Sequence, residues 1–314
     1  MASFDSINYS LRPSKTIQRQ LVFDGIRMLK IHLNLDQQVF VGFGSIWFTD
    51  FVMAHNQLLI KDMYSIESDD IGFRRALFNA PYSTVSVCHG HSSAILPELN
   101  EIPEIRGRPW LVWLDYDYLF DESVRDDIRT VIERAPENTI LLITFNGVEG
   151  KYGVSADRPD RLREIFGDLV PDDLSRRACK GERMQETLAE FALGAMASLT
   201  SELSRPGGFT PAFRVIYRDT TPMVTVGGVL PALGAAAISD DFVGKEEWPC
   251  LIDEPIIAPH LTVREATVLQ SLLPSDSNLS RDAVRELGFD LEPEQIQAFQ
   301  KYYKQYPAFA QIVT

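Results

Sequence analysis

The segment Val39-Phe40-Val41-Gly42-Phe43-Gly44-Ser45, followed by Met63-Tyr64-Ser65-Ile66-Glu67, constrains this chain most. An apolar strand runs into a glycine turn, a helix follows, and a second strand ends in a carboxylate. Glycines let the backbone approach a ligand where a Cβ would clash. The next helix presents free N–H groups, and an acid at the following strand's end can accept hydrogen bonds from ribose hydroxyls. A tight strand-to-helix turn without a ligand needs similar glycines, so a structural turn and a nucleotide-like cofactor site both stay open here.

The same alternation runs on. Ser14 can cap a helix over 15–31 whose Ile17, Leu21, Ile26 and Leu29 make a buried stripe. Strand 39–42, helix 45–58, strand 62–67, helix 70–79, strand 84–90, helix 92–99, strand 110–115, helix 122–135 and strand 139–145 then follow. Continuous apolar strands between helices predict a parallel sheet covered on both faces. Residues 156–204 read as helical, with Leu162, Ile165, Phe166, Leu188, Phe191, Ala192 and Met196 at helical spacing, and are expected to form an inserted cap. Residues 213–217 and 223–226, around a polar turn containing Pro222, read as a hairpin. Helices are expected near 262–272, 279–286 and 292–305. The predicted fold is α/β: a Rossmann-like, doubly wound, mostly parallel sheet with an antiparallel C-terminal hairpin, a helical insertion and a helical tail. The expected division is a basic helical arm over 1–35, a sheet domain over 36–232 and a tail over 233–314.

Length and charge exclude several classes of function. The 314 residues, 45% of them apolar, suffice for a sizeable core. No apolar run approaches the ~20 residues needed to span a bilayer. The opening residues show no secretory h-region, and Cys88, Cys179 and Cys250 form no disulfide framework, so a reducing cytoplasm is expected. A net charge of −14 argues against a broad grip on nucleic-acid phosphates. The basic residues Arg12, Lys15, Arg19, Arg27 and Lys30 read as a solvated helix face, with a local basic patch as the alternative.

This order of elements, closed by the hairpin, resembles the class I S-adenosylmethionine-dependent methyltransferases. Gly42-Phe43-Gly44 is similar to their glycine loop, with Ser45 beside it, and Glu67 to the acid that holds the cofactor ribose. The stretch from His89 through Gly90, His91 and Ser92 to Leu99 resembles the segment after the third strand of small-molecule O-methyltransferases. Leu114-Asp115-Tyr116-Asp117 resembles the end of their fourth strand. Together with Tyr9-Ser10-Leu11-Arg12-Pro13-Ser14-Lys15, it also resembles a bacterial group labelled putative O-methyltransferases. The resemblance implies S-adenosylmethionine as cofactor, held by Gly42, Gly44, Ser45, Glu67, His91, Ser92 and Tyr116. It implies an oxygen acceptor near Asp115 and Asp117, with Asp117 as the base.

The chain also departs from that pattern. Phe40 and Val41 stand where an acid usually precedes the glycine loop, Ile46 and Trp47 where a third glycine is usual, and His91 where an Asp usually meets the adenine amino group. Metal-dependent relatives use one Asp at the fourth strand and Asp-Asn at the fifth. Asp115 and Asn146 match them, but Phe145 replaces a carboxylate, so no built-in magnesium site is expected. Cys88-His89-Gly90-His91 lacks a second cluster that could complete a zinc site. The Asp-Pro-Pro-Tyr pattern of DNA amino methylation is absent, and the acidic residues from Asp290 to Glu294 disfavour DNA contact by the tail.

Three readings stand: a methyltransferase acting on an unidentified oxygen acceptor, a non-catalytic scaffold that binds a nucleotide-like ligand or a protein partner, and an NAD-dependent oxidoreductase, which would not call for the hairpin. Asp115 and Asp117 also fit a purely structural role next to the helix that starts near Asp121. Acceptor specificity is expected in 156–204 and in the loops. The tail is expected to dock on the main domain or on a partner chain, anchored by Tyr302, Tyr303, Tyr306 and Phe309.

Overall fold

The structure, a computed structural model, describes residues 12–307. Tyr9, Ser10, Leu11 and Phe309 lie outside them. A 20-residue helix α1 (Pro13–His32) leads into five strands alternating with four helices. These are β1 (Val39–Gly42), α2 (Thr49–Leu58), β2 (Met63–Glu67), α3 (Asp70–Asn79), β3 (Val85–His89), α4 (Ser92–Leu99), β4 (Trp110–Asp115), α5 (Glu122–Arg134) and β5 (Thr139–Asn146). After α6 (Arg158–Phe166) and α7 (Glu182–Glu202) come the hairpin strands β6 (Thr210–Arg218) and β7 (Pro222–Leu230), then α8 (Ala236–Val243), α9 (Val263–Ser271), α10 (Arg281–Glu286) and α11 (Pro293–Tyr302).

The sheet has seven strands in the order β3-β2-β1-β4-β5-β7-β6, with β1 to β5 parallel and β7 antiparallel between β5 and β6. Alternate strand residues feed two cores. Phe40, Leu111, Trp113, Ile140 and Leu142 face α1, α2 and the tail, while Val41, Val112, Leu114, Leu141 and Ile143 face α4, α5, α6 and α7. A strand buried on both faces must be apolar along its length, which is why β4 and β5 read as unbroken hydrophobic runs. In this topology the carboxyl ends of β1, β2, β4, β5 and β6 share one edge of the sheet.

Several expected features resolve differently. The helix after β1 starts at Thr49 rather than at residue 45. Ser45 and Phe48 adopt left-handed backbone, and the buried Phe48 ring packs on Phe51, so the chain makes an extra loop before the helix begins. Residues 156–204 form no cap. Leu188, Ala192 and Met196 of α7 are fully buried against the sheet, making α7 the crossover that carries the chain from β5 to β6, and none of these residues lines the cavity described below. Ser14 is not a helix cap: its hydroxyl donates to the Arg218 carbonyl and accepts from the Ala258 N–H. The tail is also part of the sheet layer. Residues near 250–256 run alongside β6, with Arg214 N–H on the Cys250 carbonyl (2.7 Å) and Ile256 N–H on the Ile216 carbonyl (2.8 Å). One continuous core joins Ile17 and Phe23 of α1, Phe213 of β6, Trp248, and Phe299 and Tyr306 of the tail, so the expected arm, domain and tail share it. Tyr302 and Tyr306 are buried in that core, and the Tyr306 hydroxyl donates to the Pro259 carbonyl at 2.8 Å. Among the described residues no helix is long and apolar enough to cross a membrane.

Candidate functional site

A cavity of about 640 Å³ opens beyond the carboxyl ends of the strands. In doubly wound sheets that edge, where the strand order reverses beside β1, leaves a crevice for a ligand. One half is built from Phe43, Gly44 and Ser45 after β1, Ile66, Glu67 and Ser68 at β2, and Gly90, His91 and Ser92 between β3 and α4. The other half holds Lys15 and Arg19 of α1, Asp50 of α2, Asp115 and Asp117 at β4, and Tyr217 and Asp219 at β6.

Of the residues expected to bind a cofactor, Gly44, Ser45, Glu67, His91, Ser92 and Tyr116 all line this cavity, and Gly42 does not. A Cβ at Gly42 would lie 2.7 Å from the Trp113 carbonyl oxygen, so this glycine serves the close approach of β1 to β4. Gly44 donates its N–H to Ser65 Oγ at 3.1 Å, and a Cβ there would strike Phe48 at 2.4 Å. Glu67 stands at the end of β2 and accepts the Asp69 N–H on Oε1 at 2.9 Å. The exposed His91 begins α4 without capping it by its side chain.

Two of the expected hydroxyl contacts are committed elsewhere. Tyr116 Oη donates to Asp127 Oδ2 at 2.7 Å, and Ser92 Oγ donates to the same oxygen. Burial pushes the Asp127 carboxyl above its ordinary value of 3.8, a shift that the two hydroxyls oppose. Burial beside Asp127 also raises Tyr116 well above 10.0, so its hydroxyl stays protonated and only the ring serves the cavity wall, where it packs edge-on against Phe43.

The basic face of α1 is not solvated. Lys15 is 7% and Arg19 6% exposed, and both reach into the site. Lys15 Nζ lies 2.8 Å from Asp115 Oδ2. Arg19 grips Asp50 with two hydrogen bonds, Nε at 2.7 Å and Nη2 at 3.2 Å, and its Nη2 lies 3.9 Å from Asp115. Burial lowers the Lys15 ammonium from 10.5, with Asp115 offsetting part of the effect. Burial also works against the Arg19 charge, but Asp50 and Asp115 outweigh it and raise its pKa. The amino terminus of α1 places the N–H groups of Ser14 (2.9 Å) and Lys15 (3.1 Å) on the Asp219 carboxylate, where the helix dipole favours an anion. Behind Asp115, Gln18 Nε2 donates to Thr225, which pairs with Thr144, which in turn accepts from Trp113 Nε1. This buried ladder fixes α1 against β4, β5 and β7.

Of the expected catalytic pair, Asp115 is therefore held by Lys15, whereas Asp117 is exposed at the rim. Phe145 is fully buried and packs on Phe120, so its side chain belongs to the core and not to any ligand set. His89 turns from His91 to pair with Asp70 at 3.1 Å and stack on Phe73, which separates the two histidines of the zinc reading. Among the described residues no three His, Cys, Asp or Glu side chains are grouped to hold a metal ion.

The sequence reading missed Lys15, Arg19, Asp50, Asp127, Tyr217 and Asp219. One signal was present: no acid stands three or four residues from Lys15 or Arg19 in the sequence, so helix-spaced charge pairing does not account for either cation.

The family model described as "Putative O-methyltransferase" matches residues 7–314. The chain belongs to that family. Among curated proteins nothing matches it. A solved structure of Trm1 from Pyrococcus horikoshii with S-adenosyl-L-methionine is similar at 13% identity and a TM-score of 0.50, covering 92% of this chain and 75% of that one. The O-methyltransferase TomG from Streptomyces achromogenes, involved in tomaymycin synthesis and solved with SAM, shares 14% identity, with a TM-score of 0.38 and coverage of 71% and 91%. At 13% identity the likeness to Trm1 speaks to the fold: a mostly parallel, Rossmann-like sheet with an antiparallel end.

Proposed function

We propose that this family member is an S-adenosylmethionine-dependent O-methyltransferase whose cofactor and acceptor share one cavity at the carboxyl edge of the sheet. The observation that carries the reading is the continuity of that cavity. It runs from Glu67 and His91, where a nucleoside can be held, to Asp115, Lys15 and Tyr217. Its volume falls within the roughly 300–1,000 Å³ usual for small-molecule sites.

The residues fit the cofactor. Glu67 offers carboxylate oxygen to ribose hydroxyls. Ile66 and Phe43 give apolar wall, and the amino end of α4 at His91 and Ser92 presents backbone N–H groups. Ser92 acts through its backbone, because its hydroxyl is held by Asp127. When bound, S-adenosylmethionine supplies an electrophilic methyl group on a sulfonium. The protein's part is to hold the acceptor oxygen in line with that methyl and keep water out. Where the acceptor arrives as a hydroxyl, Asp117 is the carboxylate at the cavity rim able to take its proton.

The test is a titration with S-adenosylhomocysteine, read by calorimetry and thermal shift, followed by transfer of label from S-adenosylmethionine to small molecules in a cell extract. A native-state ligand raises the melting temperature by mass action, and Glu67→Ala should remove most of that rise. Binding without labelled product supports the scaffold reading; no binding at millimolar ligand removes the cofactor assignment.

A further inference from the structure

The acceptor half of the cavity has an imbalance of hydrogen-bonding groups. Its inner carboxylates, those behind Asp117 at the rim, are engaged: Asp50 by Arg19, Asp115 by Lys15, and Asp219 by the backbone N–H groups of α1. Two donors remain. Arg19 Nη1 and Tyr217 Oη are buried and have no hydrogen-bond partner among the described residues, and both residues line the cavity. Arg19 is 6% and Tyr217 2% exposed, and each sits in the other's electrostatic field. A buried donor without a partner is costly, and the two residues that carry these donors line one cavity, where a bound group could satisfy them.

Resting on the methyltransferase reading, we infer that Arg19 and Tyr217 form the recognition site for the acceptor's oxygen, and that this oxygen arrives already ionised, as a carboxylate or an acidic phenolate. A neutral hydroxyl would bring one more donor beside Asp50, Asp115 and Asp219, all three of which are engaged. An oxyanion brings lone pairs and no proton. Burial, reinforced by Asp115 and Asp219, holds the Tyr217 hydroxyl well above 10.0, so it donates throughout the neutral range. The Arg19 guanidinium, braced by Asp50, supplies a charge-assisted partner. Lys15 and Arg19 formally balance Asp50 and Asp115, so an anion meets no uncompensated negative charge within that quartet. The bond-making step then balances without a base. An acceptor lone pair forms the new O–CH₃ bond while the C–S bond breaks, its electron pair remains on sulfur, and the products are the methylated oxygen and a neutral thioether, with no proton released. This also accounts for a site whose best-placed carboxylate, Asp115, is tied to Lys15.

The experiment titrates benzoate, 4-nitrophenolate and benzyl alcohol at pH 8 into wild type and Tyr217→Phe, each with and without saturating S-adenosylhomocysteine. The S-adenosylhomocysteine titration on the same samples reads the cofactor assignment separately. At least one anion should bind wild type about tenfold or more tightly than benzyl alcohol, and whichever it is names the acid. Tyr217→Phe removes a donor that has no partner in the free protein, so its melting temperature should stay or rise while the anion preference falls about tenfold. Arg19→Lys, which keeps the charge and discards Nη1, should weaken the same preference. Equal binding of anions and alcohol, or an anion preference unchanged in Tyr217→Phe, overturns the inference even where S-adenosylhomocysteine binds well. A fall in Tyr217→Phe stability overturns it too, by showing that the hydroxyl has a structural partner.

Discussion

Lys15 Nζ and Asp115 Oδ2 lie 2.8 Å apart, joining the first turn of α1 to the end of β4 across 100 residues of sequence. Their side chains are 8% and 15% exposed, so little water screens the pair. The contact brings α1 against the cavity and engages the Asp115 carboxylate with a buried ammonium.

Breaking that pair should cost stability. Lys15→Met leaves a carboxylate that retains only the more distant Arg19, and the loss should be about 3 kcal/mol. Adding Asp115→Asn should recover part of it, because the stranded charge is gone. Urea unfolding of the single and double variants measures this, and a single variant within about 0.5 kcal/mol of wild type would show the pair to be idle.

Asp127 should give stability a pH signature. Its folded pKa is raised above 3.8 by burial, so the folded state holds its proton more tightly than the unfolded chain does. Burying the charge therefore costs stability at neutral pH, and the cost is relieved as the pH falls through the raised value toward 3.8. In Asp127→Asn this titration is absent. The stability of wild type relative to Asp127→Asn should rise between pH 7 and pH 4, and a flat difference would refute the shift.

Gly44→Ala should disturb the loop after β1. The new methyl would sit 2.4 Å from the Phe48 ring and 2.6 Å from Ser65 Oγ, so the ring must move. Overpacking of this kind costs about 1–3 kcal/mol, and the shifted loop should weaken S-adenosylhomocysteine binding about tenfold. Calorimetry on the folded variant checks the second effect apart from the first.

Asp117→Asn tells whether a proton acceptor is needed. If the acceptor arrives ionised, methylation of that acid should stay within about threefold of wild type, since general-base help is worth roughly 10²–10⁴ only where a proton must leave. A hundredfold loss in a labelled-product assay would restore Asp117 as base.

The sequence alone determined the layered α/β fold, the boundaries of the five parallel strands within a residue or two, the hairpin, though with strands 213–217 and 223–226 shorter than the 9 residues each that form, and most of the residues that line one half of the cavity. These follow from local rules. Strands buried on both faces must be apolar throughout, Asp69 and Asp121 cap the helices that follow them, and Gly44, Glu67 and His91 stand at strand ends that the alternation itself places on one edge. Tertiary structure alone decided the half of the cavity that holds Lys15, Arg19, Tyr217 and Asp219. Whether Lys15 and Arg19 face solvent or a cavity depends on where α1 lands, and that is set by packing between residues about 200 apart, such as Gln18 on Thr225 and Ser14 on Arg218. No local periodicity records such distant pairings. Nor does it show that α7 lies flat on the sheet, since a cap and a crossover helix have the same apolar spacing and differ only in the surface that buries it.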